Sequence, residues 1–438
     1  MTYRLFLSVL FCGVVVAVTS CSDPAGVGAD LGDSSLENES VVARSIAVDS
    51  IGTTEAVSKT GIELRRSPVD GTVDRNWRFL FGTVDDPLAG TVTTEGYVDF
   101  VGTALRDSAF AAASADSLDA ELRLRTTYAH GDTASNFDLQ IYDLRSEADM
   151  QEAPADTTFA TESQAIAQYR VTAPTDSLLT FELPQSWIEE HQAALQDSSE
   201  FGDDLNGLKL TTSGAGLVVG VDHASAVLRL TTSQDTVDFQ SLKSFTRVER
   251  VGAPSVALSD WTLIQDGVGQ RLLMKWDLDR PLFADSLRNS PLNRAAITVP
   301  IDTVKMSQEM PSNPDFVRPS VNGYRMLGTR TDQAPTCSQL GLGTLSDRGA
   351  SCLLSTDPGS PPGAVSASPN VARQIFEDVL FDTPPFEAFE IETAVRTRDV
   401  PQNTTLRGVP STLPVLVKTA ERFETEDRPH ATLVYTPL

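Results

Sequence analysis

Apolar and polar residues alternate over short stretches through most of the chain, with turn residues roughly every 8–12 positions, the pattern of half-buried β-strands. Leu118–Tyr128 is the clearest case. Ala120, Leu122 and Leu124 fall on one side, and Glu121, Arg123 and Arg125 on the other. The same period runs through Val41–Ser50, Thr91–Phe100, Phe137–Leu144, Leu178–Leu183, Leu205–Leu210, Leu217–Val221 and Ser225–Thr231. Between Trp77–Gly82 and Thr91, the run Asp85-Asp86-Pro87-Leu88-Ala89-Gly90 supplies the residues of a turn. Beyond Arg247 the period returns at Arg271–Trp276, Leu292–Val304, Tyr324–Leu327 and Pro414–Ala420. A terminal strand follows over Asp427–Tyr435, started by Pro429.

Two stretches change to the helical period. Ser186 and Glu189 have capping-box spacing, and Trp187, Ile188, His191 and Leu195 share a face until the run Asp197–Glu200 stops it. Asn370–Leu380 places Val371, Ile375, Phe376, Val379 and Leu380 inward, and Pro384-Pro385 prevents continuation. The order of strands, a helix and a late alternating strand occurs twice. It predicts a mainly β chain of two antiparallel β-sandwich, jelly-roll-like units, each with a short helix. The expected units are 40–247 and 248–438, the second carrying a long loop at 306–366 rich in Pro, Gly, Ser and Asp. A single split sandwich with a long insertion is the competing arrangement.

The start of the chain changes the picture. Arg4 precedes an apolar run, Leu5–Val18, shorter than the ~20 residues a spanning helix needs. Val18-Thr19-Ser20-Cys21 then places a cysteine after small residues, as in a bacterial lipobox, with Val18 a looser choice than leucine. The expectation is a lipoprotein signal over 1–20, lipid on Cys21 and a polar, acidic tether over 21–39. The alternative is an ordinary signal peptide with Cys21 incidental. Lipid would hold the protein to the membrane without spanning it, which places it in the cell envelope, anchored to the outer membrane and facing the periplasm or the surface.

A net charge of −26 and a pI near 4.4 argue against nucleic acid as a partner, because phosphate backbones attract cationic surfaces. Only six lysines occur: Lys59, Lys209, Lys243, Lys275, Lys305 and Lys418. Such a surface suits high salt and equally reflects lineage composition. Cys337 and Cys352 lie in a loop-like stretch and, outside the cytoplasm, are expected to form a disulfide worth about 3 kcal/mol.

Catalytic patterns are sparse. The chain carries no Gly-rich phosphate loop, no Gly-x-Ser-x-Gly and no zinc-peptidase histidine pair. His130, His191, His223 and His430 are not spaced as a metal or base cluster. No cofactor is expected. Calcium is the one metal considered, at Asp203, Asp204 and Asn206, where hard oxygens would suit it, although an acidic turn explains them more simply. Asp85-Asp86 is read as a turn former, and Asp277 and Asp279 as a solvated face. Among Trp77, Trp187, Trp261 and Trp276, the turn-borne Trp77 and Trp261 are the candidates for stacking on sugars, and packing is the default for all four.

Four places carry a resemblance. They are Cys21 with its lipobox, Leu80-Phe81-Gly82 through Asp85–Gly90, Leu292-Asn293-Arg294-Ala295, and Arg428-Pro429 with Leu433-Val434-Tyr435. In this order they resemble a lipoprotein family of the Bacteroidota and their relatives, known only as a domain of unknown function. The resemblance implies location without mechanism and brings no catalytic residue. The strand pattern is also similar to jelly-roll modules of bacterial surface and carbohydrate-active proteins, which implies a sandwich and sugar binding. The function expected is therefore non-catalytic: an envelope lipoprotein that binds or supports another envelope protein through loops at 145–175 and 306–366. A lipoprotein that binds surface polysaccharide is the alternative, and a glycoside hydrolase comes last.

Overall fold

The computed structural model describes residues 42–47, 51–55, most of 78–265, 271–274, 290–319, shorter stretches between 323 and 408, and 411–436. The signal, Cys21, the tether, Trp77, Trp276, Asp277 and Asp279 lie outside the described residues, as does the expected helix 370–380 apart from helical Ala372 and Arg373. The chain is mainly β.

Chain order begins with β1 (Val42–Ala47), β2 (Ile51–Glu55), β3 (Arg78–Asp86) and β4 (Gly90–Phe100). It continues through β5 (Asp119–Leu124), β6 (Thr126–Asp132), β7 (Phe137–Asp143), β8 (Ala167–Val171) and β9 (Leu179–Glu182). Short helices α1 (Gln185–Glu190), α2 (Gln192–Gln196) and α3 (Phe201–Asp204) follow. Then come β10 (Leu208–Ser213), β11 (Leu217–Asp222), β12 (Val227–Thr231) and the long β13 (Thr236–Arg250).

These strands, apart from β1 and β2, share a sheet whose path is β6-β11-β3-β4-β13-β12-β5-β9. Two long strands change partners along their length. One side of β4 pairs first with β3, over Gly90–Thr94, and then with β10, over Gly96–Val98. β13 pairs with β12 up to Gln240 and with β4 from Ser241 onward, with a register shift between Ser241 and Lys243. One apolar cluster consequently draws on strands far apart along the path. Phe79, Phe81, Val219, Val221, Leu139 and Leu210 meet Leu122, Leu124, Leu228, Leu230, Phe181 and Phe239. Trp187, Ile188, Leu195 and Phe201 of the helices close it.

Two local expectations change. Leu118–Tyr128 is not one strand: β5 pairs with β12 and β9, whereas β6 pairs with β11. The break is at Arg125, which is exposed and whose carbonyl accepts the Asp222 N–H at 3.0 Å. The capping box at Ser186 and Glu189 does not form either. Pro184 is the N-cap residue, so Ser186 sits inside the first turn, and the helix is interrupted at His191.

The remaining elements are β14 (Trp261–Ile264), β15 (Arg271–Met274), β16 (Leu292–Pro300) and α4 (Thr303–Gln308). After them come β17 (Phe316–Val317), β18 (Gly323–Arg330), β19 (Gly343–Thr344), β20 (Ser351–Leu353) and β21 (Ala364–Ser366). The last four are β22 (Phe386–Thr397), β23 (Thr405–Gly408), β24 (Val415–Lys418) and β25 (His430–Tyr435). Within the expected loop 306–366 the described residues include the strands β17 to β21. Its strands pair within one sheet or another, and buried Cys337 and Cys352 are joined by a disulfide with Cα atoms 5.4 Å apart.

Sheets cross the division expected at residue 247, which falls inside β13. β1 pairs with β25, and β2 with β15, so the first strands join the last part of the chain. In the other direction β17 adds to β6 of the large sheet.

Gly82 shows how close the β3–β11 approach is. Its φ is +132°, and an added Cβ would lie 2.3 Å from the Leu217 carbonyl oxygen. Gly82→Ala is expected to cost about 2 kcal/mol or more, combining backbone strain with a clash against backbone that cannot yield. Urea unfolding measures it, and a loss below about 0.5 kcal/mol would show that β11 moves aside.

Candidate functional site

Asp86 ends β3 and is 2% exposed. Its Oδ1 accepts the N–H groups of Leu88 (2.8 Å) and Ala89 (3.2 Å), closing the β3–β4 turn in the way Asp side chains favour. The same carboxylate receives Arg318 as a fork, Nε at 2.6 Å and Nη2 at 2.9 Å, and His130 Nε2 lies 3.0 Å away. Burial alone would raise the Asp86 pKa. The hydrogen bonds and charges of His130 and Arg318 outweigh it and hold the group well below the usual carboxylate range. An ionised carboxylate only accepts, so His130 Nε2 carries the proton.

From there the contacts run into the C-terminal part of the chain. His130 Nδ1 is 2.7 Å from Thr412 Oγ1, and the Thr412 N–H donates to the Tyr128 hydroxyl at 2.8 Å. Gln265 Nε2 donates to the Thr412 carbonyl at 2.5 Å, and Arg250 of β13 donates to Gln265 Oε1 at 3.1 Å. Arg318 also donates to the carbonyls of Met306 and Glu309, at the end of α4. Carboxylate, imidazole and hydroxyl stand in line as in an acid–base relay. His130 and Thr412 are both 0% exposed, so no substrate reaches that hydroxyl. The geometry makes a tie between chain segments.

The outer face of β13-β12-β5 is accessible instead. Because Leu228, Leu230, Leu122 and Leu124 point inward, Arg229, Glu121 and Arg123 point outward. Arg229 grips Asp238 across the β12–β13 pair at 2.6 and 2.7 Å, and Arg123 bonds Glu121 at 2.9 Å. Where β5 breaks, an open groove of about 320 Å³ is lined by Arg123, Arg125, Leu178, Asp222, Ser225 and Arg229, with Val227 and Asp238. Burial raises the Asp222 carboxyl despite nearby Arg125 and Arg78, whereas the Arg229 hydrogen bond lowers that of Asp238. Behind the groove, buried His223 is pushed down to about 4 by loss of solvent.

The residues singled out from sequence are scattered. Trp261 of β14 is half-buried. Its Nε1 donates to Asp302 at 2.9 Å, and Phe423, Lys305 and Arg422 lie 5.4, 5.3 and 5.9 Å from its ring, so packing accounts for it. Trp187 is fully buried and donates to both oxygens of Asp143, which half-buried His191 also contacts at 3.3 Å. Asp204 is exposed and Asn206 half-buried beyond α3, which also contains Asp203. Among the described residues no group of three or more His, Cys, Asp or Glu side chains is placed to hold a metal. The groove was not singled out. Its signal was Arg229 lying between Leu228 and Leu230 just as Arg123 lies between Leu122 and Leu124.

Comparison with models of protein families and with curated proteins finds no match.

Acid should separate the two buried groups. His223 has a depressed pKa, so its contribution is complete above about 6.5 and drains away as pH falls towards about 4. Asp86 is also depressed, but its loss begins only as pH falls below about 4. Urea unfolding across pH should show His223→Gln flattening the upper window relative to the parent, and Asp86→Asn the lower. At neutral pH, Asp86→Asn is expected to cost about 3–5 kcal/mol, because it leaves Arg318 buried without its counter-charge. If both variants shift the whole curve uniformly, neither group titrates as described.

Proposed function

We propose that the chain is a non-catalytic lipoprotein of the cell envelope, held to the outer membrane by lipid on Cys21, that binds another envelope component. In this reading it belongs with the Bacteroidota-type lipoproteins it resembles, and its curled sheets are jelly-roll-like β-sandwich units. The apolar segment ending at Ser20-Cys21 supports the location.

The observation that carries the binding role is the groove. It lies on strands paired along both sides, and of its ionic lining Arg229 is tied to Asp238 across strands and Arg123 to Glu121 within β5, as a rigid recognition surface requires. Asp222 and Asp238 have pKa values pushed apart, which a glycosidase would exploit. Asp238, however, is held bidentately by Arg229, and Asp222 is engaged in the turn to Ala224 and Ser225. These bonds favour binding over turnover.

The test is co-purification from detergent-solubilised native envelope, at the organism's working salt, beside a Cys21→Ala control. A stoichiometric protein or polysaccharide partner is expected, and the control should leave the membrane fraction. Recovery of the intact protein with nothing bound would overturn the binding role. A control that remains lipidated would overturn Cys21 as the anchor.

A further inference from the structure

Resting on that reading, we infer that the groove binds the carboxylate-bearing ring of an acidic saccharide, with Arg125 holding the carboxylate. Two of the three guanidiniums that line the groove are already used. Arg229 is committed to Asp238 and Arg123 to Glu121. Arg125 lies past the end of β5, exposed, and its side chain makes no hydrogen bond or ion pair to the described residues; its charge acts on Asp222 beside it. Asp222 in turn is shared with Arg78. The lining itself carries three guanidiniums, Arg123, Arg125 and Arg229, against two carboxylates, Asp222 and Asp238, on a chain of net charge −26. A planar fork with free donors matches a carboxylate in two-point contact.

The rest of the lining suits a sugar ring. Half-exposed Leu178 and the flank of Val227 offer an apolar face, and the paired Arg and Asp side chains offer fixed polar edges. About 320 Å³ is at the small end of ligand pockets, room for one or two rings. An acidic peptide is the less suitable occupant. Extended peptides gain affinity by pairing their main chain with an unpaired strand. Here β12 lies between β13 and β5, and β5 between β12 and β9, so the floor has no main-chain groups to give.

The full mature chain carrying Cys21→Ala is titrated calorimetrically with a galacturonate trisaccharide, the neutral galactose trisaccharide and triglutamate. The galacturonate should bind at least tenfold more tightly than either of the others. Arg125→Gln should weaken it at least tenfold, whereas Arg422→Gln, at an exposed arginine outside the groove, should leave it unchanged. Equal binding of the neutral sugar, tighter binding of triglutamate, no binding, or indifference to Arg125→Gln would each overturn the inference. If Arg125→Gln protein still captures its envelope partner, the groove assignment fails and the envelope-binding role stands. If galacturonate binds as stated but the parent captures nothing, the role fails and the groove chemistry stands. Release of shorter saccharides, abolished by Asp222→Asn, would keep the ligand class and overturn the non-catalytic reading.

Discussion

A carboxylate taken out of water must have its lost hydration replaced, and Asp86 obtains the replacement from three separate parts of the chain. The turn after β3 gives two N–H groups, β6 gives His130, and the segment after α4 gives Arg318; His130 then reaches Thr412, ahead of β24. None of these segments satisfies the charge alone. Because an uncompensated buried charge is far costlier than a lost surface contact, they are bound to assemble together. This constraint explains why β17 lies against β6. The β1–β25 and β2–β15 pairs also join early strands to late ones.

The outer face follows from a different rule, the two-residue period of a strand. Once Leu122 and Leu124 are required in the core, Glu121 and Arg123 have no choice but to face out, and the same holds for Arg229 between Leu228 and Leu230. Antiparallel register then sets Arg229 opposite both Glu121 and Asp238. Cross-strand ion pairs of this exposure contribute modestly to stability. Their larger effect is to fix the direction of the guanidiniums, and the interruption of the strand at Arg125 leaves one of them outside that arrangement.

Local pattern made most strands legible, because alternation and turn chemistry are written into neighbouring residues. β4, β7, β9, β12 and the Pro429-started β25 all lie where alternation places them, whereas β3 runs on through Asp86 into the stretch read as turn. What alternation does not encode is which strands meet. Leu118–Tyr128 keeps its period across Arg125 although its pairing partner changes there, and the run 306–366 looks irregular because most of its described strands are only two or three residues long. Asp86 was visible as a turn former, which it is. Its partners lie 44 and 232 residues away, and one sequence carries no sign of contacts at that range. The groove has the same cause: Arg125, Asp222 and Leu178 are brought together by strand order alone.

An anion site on so acidic a protein looks contradictory, and distance resolves it. The repulsion from a net charge of −26 is spread over the whole surface and is screened beyond about 10 Å at ordinary salt, and over only about 3 Å at molar salt. Bidentate contact with a guanidinium acts at hydrogen-bond length and depends on the orientation of the fork. Long-range steering would therefore disfavour approach of an anion while short-range geometry favours its retention. Added salt weakens the first far more than the second. The acidic surface thus costs the groove little wherever ionic strength is high, and it discourages anions that cannot also fill the apolar edge formed by Leu178 and Val227. Selection then rests on shape joined to charge, which a saccharide ring bearing one carboxylate provides.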